Sequence, residues 1–423
     1  MAGLQPYIKL VTQNHDYRRL WLSQLVSNFG DWFGLLAVYA LITEYSDSEL
    51  LLGLIIVVKM MSLAVFSPIA GYITDRFNRR RLMIWCDLAR AVIVLGFLFI
   101  HSLEWLWLSY VLMALQMMMS AVFEPARTSS IPNITSATEL VNANILSSLS
   151  WSIIFTMGMG IGGLATGYLG TSPVFILDAL SYLVSAYFIY RAVIPQKTIS
   201  REDEFHQHPL RGIKEGFQFL KDHPHVLRPT LAKGFINISL GALVYLLVLV
   251  SDKILLMGSV GLGLLYASRG VGTAIGPVIG RRVFRDEGQW IKAMGIFMFF
   301  CGLNYLLLGF TQSLLMMLLL VFLAHAASGS NWVMSTVLLQ RRAPDVFRGR
   351  VFSTEWLFFT LTQSVSVITA SLILDNDILT LDQTIVVFSV LLVVTGIVWN
   401  LFISSKEKEY QRNVARLKAE PSG

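Results

Sequence analysis

The sequence predicts an all-α polytopic membrane protein with twelve transmembrane helices in two pseudo-symmetric six-helix halves. Three observations carry that prediction. Apolar residues fill 55% of the 423 positions and charged residues only 14%, whereas soluble globular chains carry about 25% charged residues. Mean hydropathy is +0.62. At roughly 20 apolar residues per crossing, the length holds about twelve spans with short loops and leaves no room for a sizeable soluble domain.

Apolar runs place the first six spans near residues 20–43, 50–73, 81–101, 105–126, 141–168 and 173–191. A second six lie near 227–250, 258–280, 291–311, 313–337, 350–374 and 383–404. The stretch Met1–Arg19 is polar and leads into a full-length span, so no cleaved signal peptide is expected. Orientation follows from lysine and arginine, which concentrate in cytoplasmic loops. Lys9, Arg18 and Arg19, the run Arg76, Arg79, Arg80 and Arg81, and the tail residues Lys406, Lys408, Arg412, Arg416 and Lys418 all fall on one side. Arg281, Arg282, Arg285, Arg341, Arg342, Arg348 and Arg350 join them, while the opposite loops hold Lys253 among acids such as Glu44, Asp47, Glu49, Glu104, Asp375 and Asp377. A multi-pass protein of the cell membrane with both termini cytoplasmic is expected. The same placement accounts for the net charge of +6 and the pI near 9.2 without a nucleic-acid partner. Cys86 and Cys301 are the two cysteines and both sit inside apolar runs, so a disulfide framework and a thiolate metal site are excluded.

One long polar connection divides the chain. The expected organisation is an N-terminal six-helix half at 1–191, a cytoplasmic linker at 192–226, a C-terminal half at 227–404 and a cytoplasmic tail at 405–423. Within the linker Leu210, Ile213, Phe217 and Leu220 recur at helical spacing between Arg211, Lys214, Gln218 and Lys221, which predicts an amphipathic helix on the membrane surface.

The strongest local signal is Gly71-Tyr72-Ile73-Thr74-Asp75-Arg76-Phe77-Asn78-Arg79-Arg80-Arg81, at a cytoplasmic turn between two spans. Gly71 lets two helices approach, and Asp75 suits the positive end of a helix dipole. The pattern resembles the signature loop of the major facilitator superfamily. That resemblance implies the major facilitator fold and a conformational-gating role for Gly71, Asp75, Arg76, Arg79 and Arg80; a plain positive-inside loop is the competing reading. The matching place in the second half reads Gly276-Pro277-Val278-Ile279-Gly280-Arg281-Arg282, with Gly280 where the first half has Asp75. A weakened copy fits a duplicated fold. Ser27-Asn28-Phe29-Gly30-Asp31, Phe123-Glu124-Pro125-Ala126-Arg127 with Ile131-Pro132, Glu139-Leu140-Val141-Asn142-Ala143-Asn144 and Pro344-Asp345-Val346-Phe347-Arg348-Gly349-Arg350-Val351-Phe352 look like the macrolide-efflux branch, which also contains siderophore exporters. Unlike the better-known drug antiporters, the chain has no arginine inside its fourth span and no Gly-Pro pair in its fifth. Gly158, Gly160 and Gly163 match G-x-G-x-x-G, but they lie within a span with no strand ahead, so close helix packing explains them, as it does Gly272, Gly276 and Gly280.

A charge at mid-bilayer costs about 2.5–3.5 kcal/mol or more, so each such residue needs a partner or water. Asp31 and Lys59 fall at nearly the same depth, roughly 14–16 Å from opposite faces, and are predicted to be neighbours. They read either as a proton-coupling pair or as a permanent structural one. Gln24, Asn28 and Asp31 make one polar stripe on the first span, expected to face a substrate cavity. Gln116, Ser120, Glu124 and Arg127 make another on the fourth, where Glu124 carries a proton or pairs with Arg127. In the second half Arg269 is read as an anion-holding group or as the partner of a carboxylate such as Glu355, and His325 as a proton relay or a packing residue. Lys233, Arg90 and Asp87 are read as snorkelling towards the cytoplasmic surface, and Asp178 as structural. Trp151, Trp332 and Trp356 are the aromatic cavity candidates, because polar residues recur beside them.

These residues predict a secondary active transporter exporting a hydrophobic or amphiphilic small molecule by alternating access and proton antiport. Asp31, Glu124 and His325 are its proton-coupling candidates. Gln24, Asn28, Lys59, Gln116, Trp151, Arg269, Trp332 and Glu355 are its substrate-cavity candidates. The alternative is a siderophore exporter, or a transporter of lysophospholipids or other anionic amphiphiles, working by exchange or facilitation. No ATP-binding motif and no H-E-x-x-H or G-x-S-x-G occurs, so an enzyme is not expected. The expected partners are the lipid bilayer and the small-molecule substrate, with a proton gradient in place of any cofactor and a monomeric state.

Overall fold

A computed structural model describes residues 5–195 and 209–419, and among these every regular element is helical. The first bundle begins with α1 (Gln5–Gln13), α2 (His15–Tyr45), α3 (Glu49–Arg76) and α4 (Arg79–Gly96). It continues with α5 (Trp107–Ile134), α6 (Ala137–Leu169) and α7 (Thr171–Arg191), after which comes α8 (Pro209–Asp222). The second series is α9 (Pro224–Leu249), α10 (Gly258–Val283), α11 (Trp290–Leu308), α12 (Leu314–Arg342), α13 (Asp345–Asp375), α14 (Leu381–Val398) and α15 (Ser404–Ala419). Each predicted span coincides with one of α2–α7 or α9–α14. Among the described residues, 11 helices are long and apolar enough to cross a membrane, and α6 supplies the shorter apolar segment Ile153–Leu169. The predicted twelve-helix class holds.

Helix starts follow the residue chemistry of the loops. Asn14, Ser48 and Asn78 each accept a backbone N–H at the first turn of α2, α3 and α4. Ser136 with Glu139, and Thr380 with Gln383, form reciprocal capping boxes on α6 and α14. Most helices overrun the predicted spans, because caps and not the end of the apolar run decide where they begin. On α5 even Pro125 and Pro132 do not end the helix. Thr128 and Thr135 bond back to the Glu124 and Ile131 carbonyls one turn earlier, at 2.8 Å each.

The chain forms two compact units, one comprising the chain up to Pro209 with Leu256–Ala267, the other Leu210–Leu255 with the chain from Ser268 onward. In the first, α2 packs on α6 and α7, and α4 on α5 and α7. Tyr17, Leu20, Met83 and Phe123 lie in its core. In the second, α9 packs on α12, α13 and α14, and α11 on α12 and α14.

The glycine runs pack helices, as expected. A Cβ at Gly163 would stand 2.7 Å from the Gly263 Cα, so the start of α10 lies backbone to backbone on α6 within the first unit. In the second unit a Cβ at Gly276 would stand 2.0 Å from the Ala326 carbonyl oxygen. Lipid offers no hydrophobic drive between helices, so such close van der Waals contact supplies much of the attraction.

The linker helix docks on the second unit at its C-terminal turn. Side chains up to residue 215 lie outside the described residues, and Phe217, assigned to the apolar face, is exposed. The buried residues are Phe219 and Leu220, which pack against Val226, Leu339, Ala343 and Val351. In the same unit, Glu407 of α15 is buried and binds Arg228 of α9 at 2.5 Å and Arg342 of α12 at 2.7 Å.

Gly276→Ala is expected to lower unfolding stability by about 1–3 kcal/mol through overpacking. Gly160→Ala, whose Cβ would meet Ala267 at an ordinary 3.5 Å, is expected to be neutral. Thermal unfolding of both variants in detergent checks the contrast, and equal melting temperatures would refute it.

Candidate functional site

The first bundle buries a polar network contributed by four helices. Asp31 lies on α2, Asp87 and Arg90 one turn apart on α4, Gln116 on α5, and Tyr182 and Ser185 on α7. Tyr182 Oη donates to Asp31 Oδ1 at 2.5 Å and accepts from Gln116 Nε2 at 2.8 Å. Arg90 Nη1 lies 3.7 Å from Asp31 Oδ2, while its Nη2 bonds Asp87. Ser185 Oγ donates to the other Asp87 oxygen at 2.6 Å. The guanidinium lies between the Phe123 and Tyr182 rings, 4.4 Å from each centroid. Asp178 sits in a notch on α2, where a Cβ at Gly34 would stand 2.3 Å from its Oδ2. Three carboxyls, of Asp31, Asp87 and Asp178, therefore lie within electrostatic reach of one buried guanidinium, and of the three only the Asp31 side chain is partly exposed.

This arrangement corrects the readings of Arg90 and Asp87. They do not snorkel; their relative exposures are 2% and 0%. Asp31 finds its hydrogen-bonding and ion-pair partners in Tyr182 and Arg90, while Lys59 is within electrostatic reach of it. Lys59 Nζ lies 5.1 Å from the centroid of Trp32, the next residue along α2. Trp32 meets Trp151 and Phe155 edge-on at 5.9 and 4.8 Å.

Further along the same stripes, towards the start of α2 and the end of α5, Arg127 donates to Glu124 at 2.8 Å and to Gln24 at 2.8 Å. The expected Glu124–Arg127 pair is present, and Gln24 joins it to α2. Asn28, between Gln24 and Asp31, is buried.

In the second unit Glu355 holds Lys233 at 2.8 Å. Lys233, read as snorkelling, is buried, and it takes the place that the sequence reading offered to Arg269. Lys233 Nζ also donates to Thr336 at 2.9 Å and lies 4.1 Å from the Trp332 ring centroid. His325 hydrogen-bonds Tyr305 at 2.8 Å and Ser328 at 3.2 Å, with the charge of Arg269 in electrostatic reach. Both ring nitrogens are occupied, as in a packing histidine.

In the signature loop, the side chains of Gly71, Asp75 and Arg76 lie outside the described residues. Arg79 donates to the Ser129 carbonyl at 2.9 Å, and Arg80 to the Ile189 carbonyl at 3.3 Å and to the Tyr190 carbonyl. Arg80 thereby caps the end of α7, where the last carbonyls lack intrahelical partners, and Arg79 reaches a carbonyl near the end of α5. Gly280 packs on α12: a Cβ there would stand 2.8 Å from Ser330 Oγ, so no acid fits. Among the described residues, no group of three or more His, Cys, Asp or Glu is placed to hold a metal ion.

Sequence reasoning missed Arg90. The available signal was its distance from the Asn78 cap: about twelve residues, or roughly 18 Å, which lies well inside a membrane core about 30 Å thick.

Arg90→Gln is expected to destabilise the protein by about 3–5 kcal/mol by leaving buried carboxyls unbalanced. Adding Asp87→Asn should recover part of that loss. Thermal unfolding of the two single variants and the double checks this, and strict additivity would show that the pair is not coupled.

Comparison with known proteins gives a consistent result. A family model described as Major Facilitator Superfamily matches residues 20–370. BacE of Bacillus amyloliquefaciens, described as a proposed bacilysin exporter, is 26% identical over 347 residues, covering 82% of this chain and 85% of BacE. Two shorter matches span about half of both chains. YfiS of Bacillus subtilis strain 168, an uncharacterised MFS-type transporter, is 29% identical over 212 residues, covering 49% of this chain and 50% of YfiS. Macrolide efflux protein A of Streptococcus pyogenes is 22% identical over 206 residues, covering 48% and 51%. Among solved structures, an inward-facing bacterial homologue of the human lysosomal transporter Spinster superposes with TM-score 0.72 at 16% identity, covering 94% of this chain and 98% of that one.

Proposed function

Because the chain belongs to the Major Facilitator Superfamily, we propose that it is a secondary active exporter which drives a hydrophobic or amphiphilic small molecule outward by alternating access in exchange for protons. It works in the cell membrane with both termini cytoplasmic, as a monomer, and takes its energy from the proton gradient. The observation that carries the reading is the Asp31–Tyr182–Arg90–Asp87 network, since it concentrates excess carboxyls on helices that can be released from one another.

The mechanism follows from charge balance. With Asp31 ionised, Arg90 is shared between Asp31 and Asp87, and α2 is held to α4 and α7. A proton on Asp31 removes the ionic half of that hold while Tyr182 keeps its hydrogen bond. Arg90 then belongs to Asp87 on its own helix, and α2 is freer to move. The proton acts as a small ligand that biases one packing over another. Glu124, bound to Arg127, is the second station on this path; His325, with both nitrogens engaged, is the least favoured of the three candidates. The exporter descriptions of BacE and macrolide efflux protein A support outward transport.

A second reading is exchange or facilitation of an anionic amphiphile, and Lys59 over the Trp32–Trp151–Phe155 aromatic cluster favours it. A pH-jump assay in proteoliposomes separates the two. Proton antiport predicts lumen acidification when substrate is exchanged, and Asp31→Asn should abolish that acidification while leaving the melting temperature close to the parent's. Acidification that persists in Asp31→Asn would remove Asp31 from the mechanism, and transport without any pH change would favour exchange.

A further inference from the structure

The second bundle holds a charge pair that the proton path does not use. Lys233 of α9 and Glu355 of α13 meet at 2.8 Å, each with 4% relative exposure. Against them lies a platform of aromatic rings that is partly open. Trp332 is 36% exposed and Trp356 37%. The two rings stand edge to face at 6.3 Å, and Phe359 lies 5.2 Å from Trp332 and 5.3 Å from Trp356. Trp332 is common to both parts, because the Lys233 ammonium sits 4.1 Å from its ring centroid. A buried pair of opposite charges thus adjoins flat apolar surface that other side chains leave uncovered.

We infer that Lys233, Glu355 and the Trp332–Trp356 platform form a binding site for a small zwitterion carrying an aromatic or apolar body. The inference rests on the transport reading above for its purpose, and on the charge pair for its chemistry. A bare anion drawn to Lys233 would strip Glu355 of its partner and leave net negative charge in the interior. A bare cation drawn to Glu355 would strand Lys233 in the same way. Either outcome costs heavily at low dielectric. A molecule bearing both signs places its carboxylate on Lys233 and its ammonium on Glu355, so each buried charge keeps an opposite partner and the local sum stays at zero. Thr336, already in the hydrogen-bonding reach of Lys233 at 2.9 Å, keeps the ammonium oriented during the exchange. The apolar body then lies on the indole faces, where dispersion and ring-edge contacts favour flat groups. The pair lies about nine to ten residues, roughly 15 Å, from the starts of α9 and α13, the ends that the proposed orientation places at the cytoplasm, which suits loading from that side.

The test uses the full-length protein in lipid nanodiscs and titration calorimetry with three probes: phenylalanyl-phenylalanine, its N-acetyl form and its C-terminal amide. The free dipeptide is expected to bind about tenfold or more tighter than either capped form, since each cap removes one charge-assisted contact. Lys233→Met/Glu355→Met, which replaces a buried pair by apolar side chains and so should fold, is expected to lose that preference with an unchanged melting temperature. Glu355→Asp, which keeps the charge and shortens its reach, serves as a second variant and should bind the dipeptide more weakly. Equal binding of the three probes, no binding of the dipeptide, or a preference that survives in the double variant would overturn the inference. Flux measurements on the parent protein separate this from the transport reading. Intact zwitterion preference without proton-driven flux in the parent protein would sink proton antiport alone, and flux of another compound without the preference would sink this site alone.

Discussion

An ionised side chain surrounded by hydrocarbon must be met by an opposite charge or a well-aimed dipole, and that requirement governs how these helices associate. Leaving a charge unmet costs at least about 2.5–3.5 kcal/mol, which is a large fraction of the few kcal/mol by which folded proteins are stable. Arg90 therefore acts as a rivet, since its guanidinium reaches Asp87 on its own helix and Asp31 on α2 while stacking on Tyr182 of α7. Lys233 does the same for α9, α12 and α13 through Trp332, Thr336 and Glu355. Apolar packing is sequence-tolerant by comparison, because every span has an apolar face to offer.

The spans themselves were legible because an apolar run of that length has one inexpensive arrangement in a bilayer. Pairs close in sequence were legible for a similar reason: Glu124 and Arg127, three residues apart on a helix, can hardly avoid each other. Contacts between helices were not. Depth along the membrane normal can be counted from the sequence, but rotation about the helix axis and the identity of the neighbouring helix cannot. Asp31 and Lys59 share a depth, yet the partners hydrogen-bonded or ion-paired to Asp31 come from α4 and α7. The misreading of Lys233 and Arg90 has a different cause. Snorkelling assumes lipid around the side chain, and both side chains are instead enclosed by neighbouring helices.

The two bundles share an ancestry of pattern but treat charge differently. The first gathers Asp31, Asp87 and Asp178 around Arg90, with Lys59 in electrostatic reach of Asp31. The second sets one ammonium against one carboxylate at Lys233 and Glu355, and two guanidiniums against the single carboxylate of Glu407. The loop that follows the second span in each half diverges in step: in the first, Arg79 reaches a carbonyl near the end of α5 and Arg80 caps α7, whereas Gly280 in the second is pressed against Ser330 with no space for an acid.

Glu407 extends the same electrostatics beyond the last span. Its carboxylate is shared by guanidiniums from the start of α9 and the end of α12, and Tyr410, three residues on, stacks on His225 at 5.2 Å. The final helix is thereby a structural member of the second bundle rather than an appendage. Any shortened version that stops ahead of Glu407 would leave Arg228 and Arg342 facing each other without an anion between them, so affinity tags and fluorescent fusions belong after α15 and not in its place.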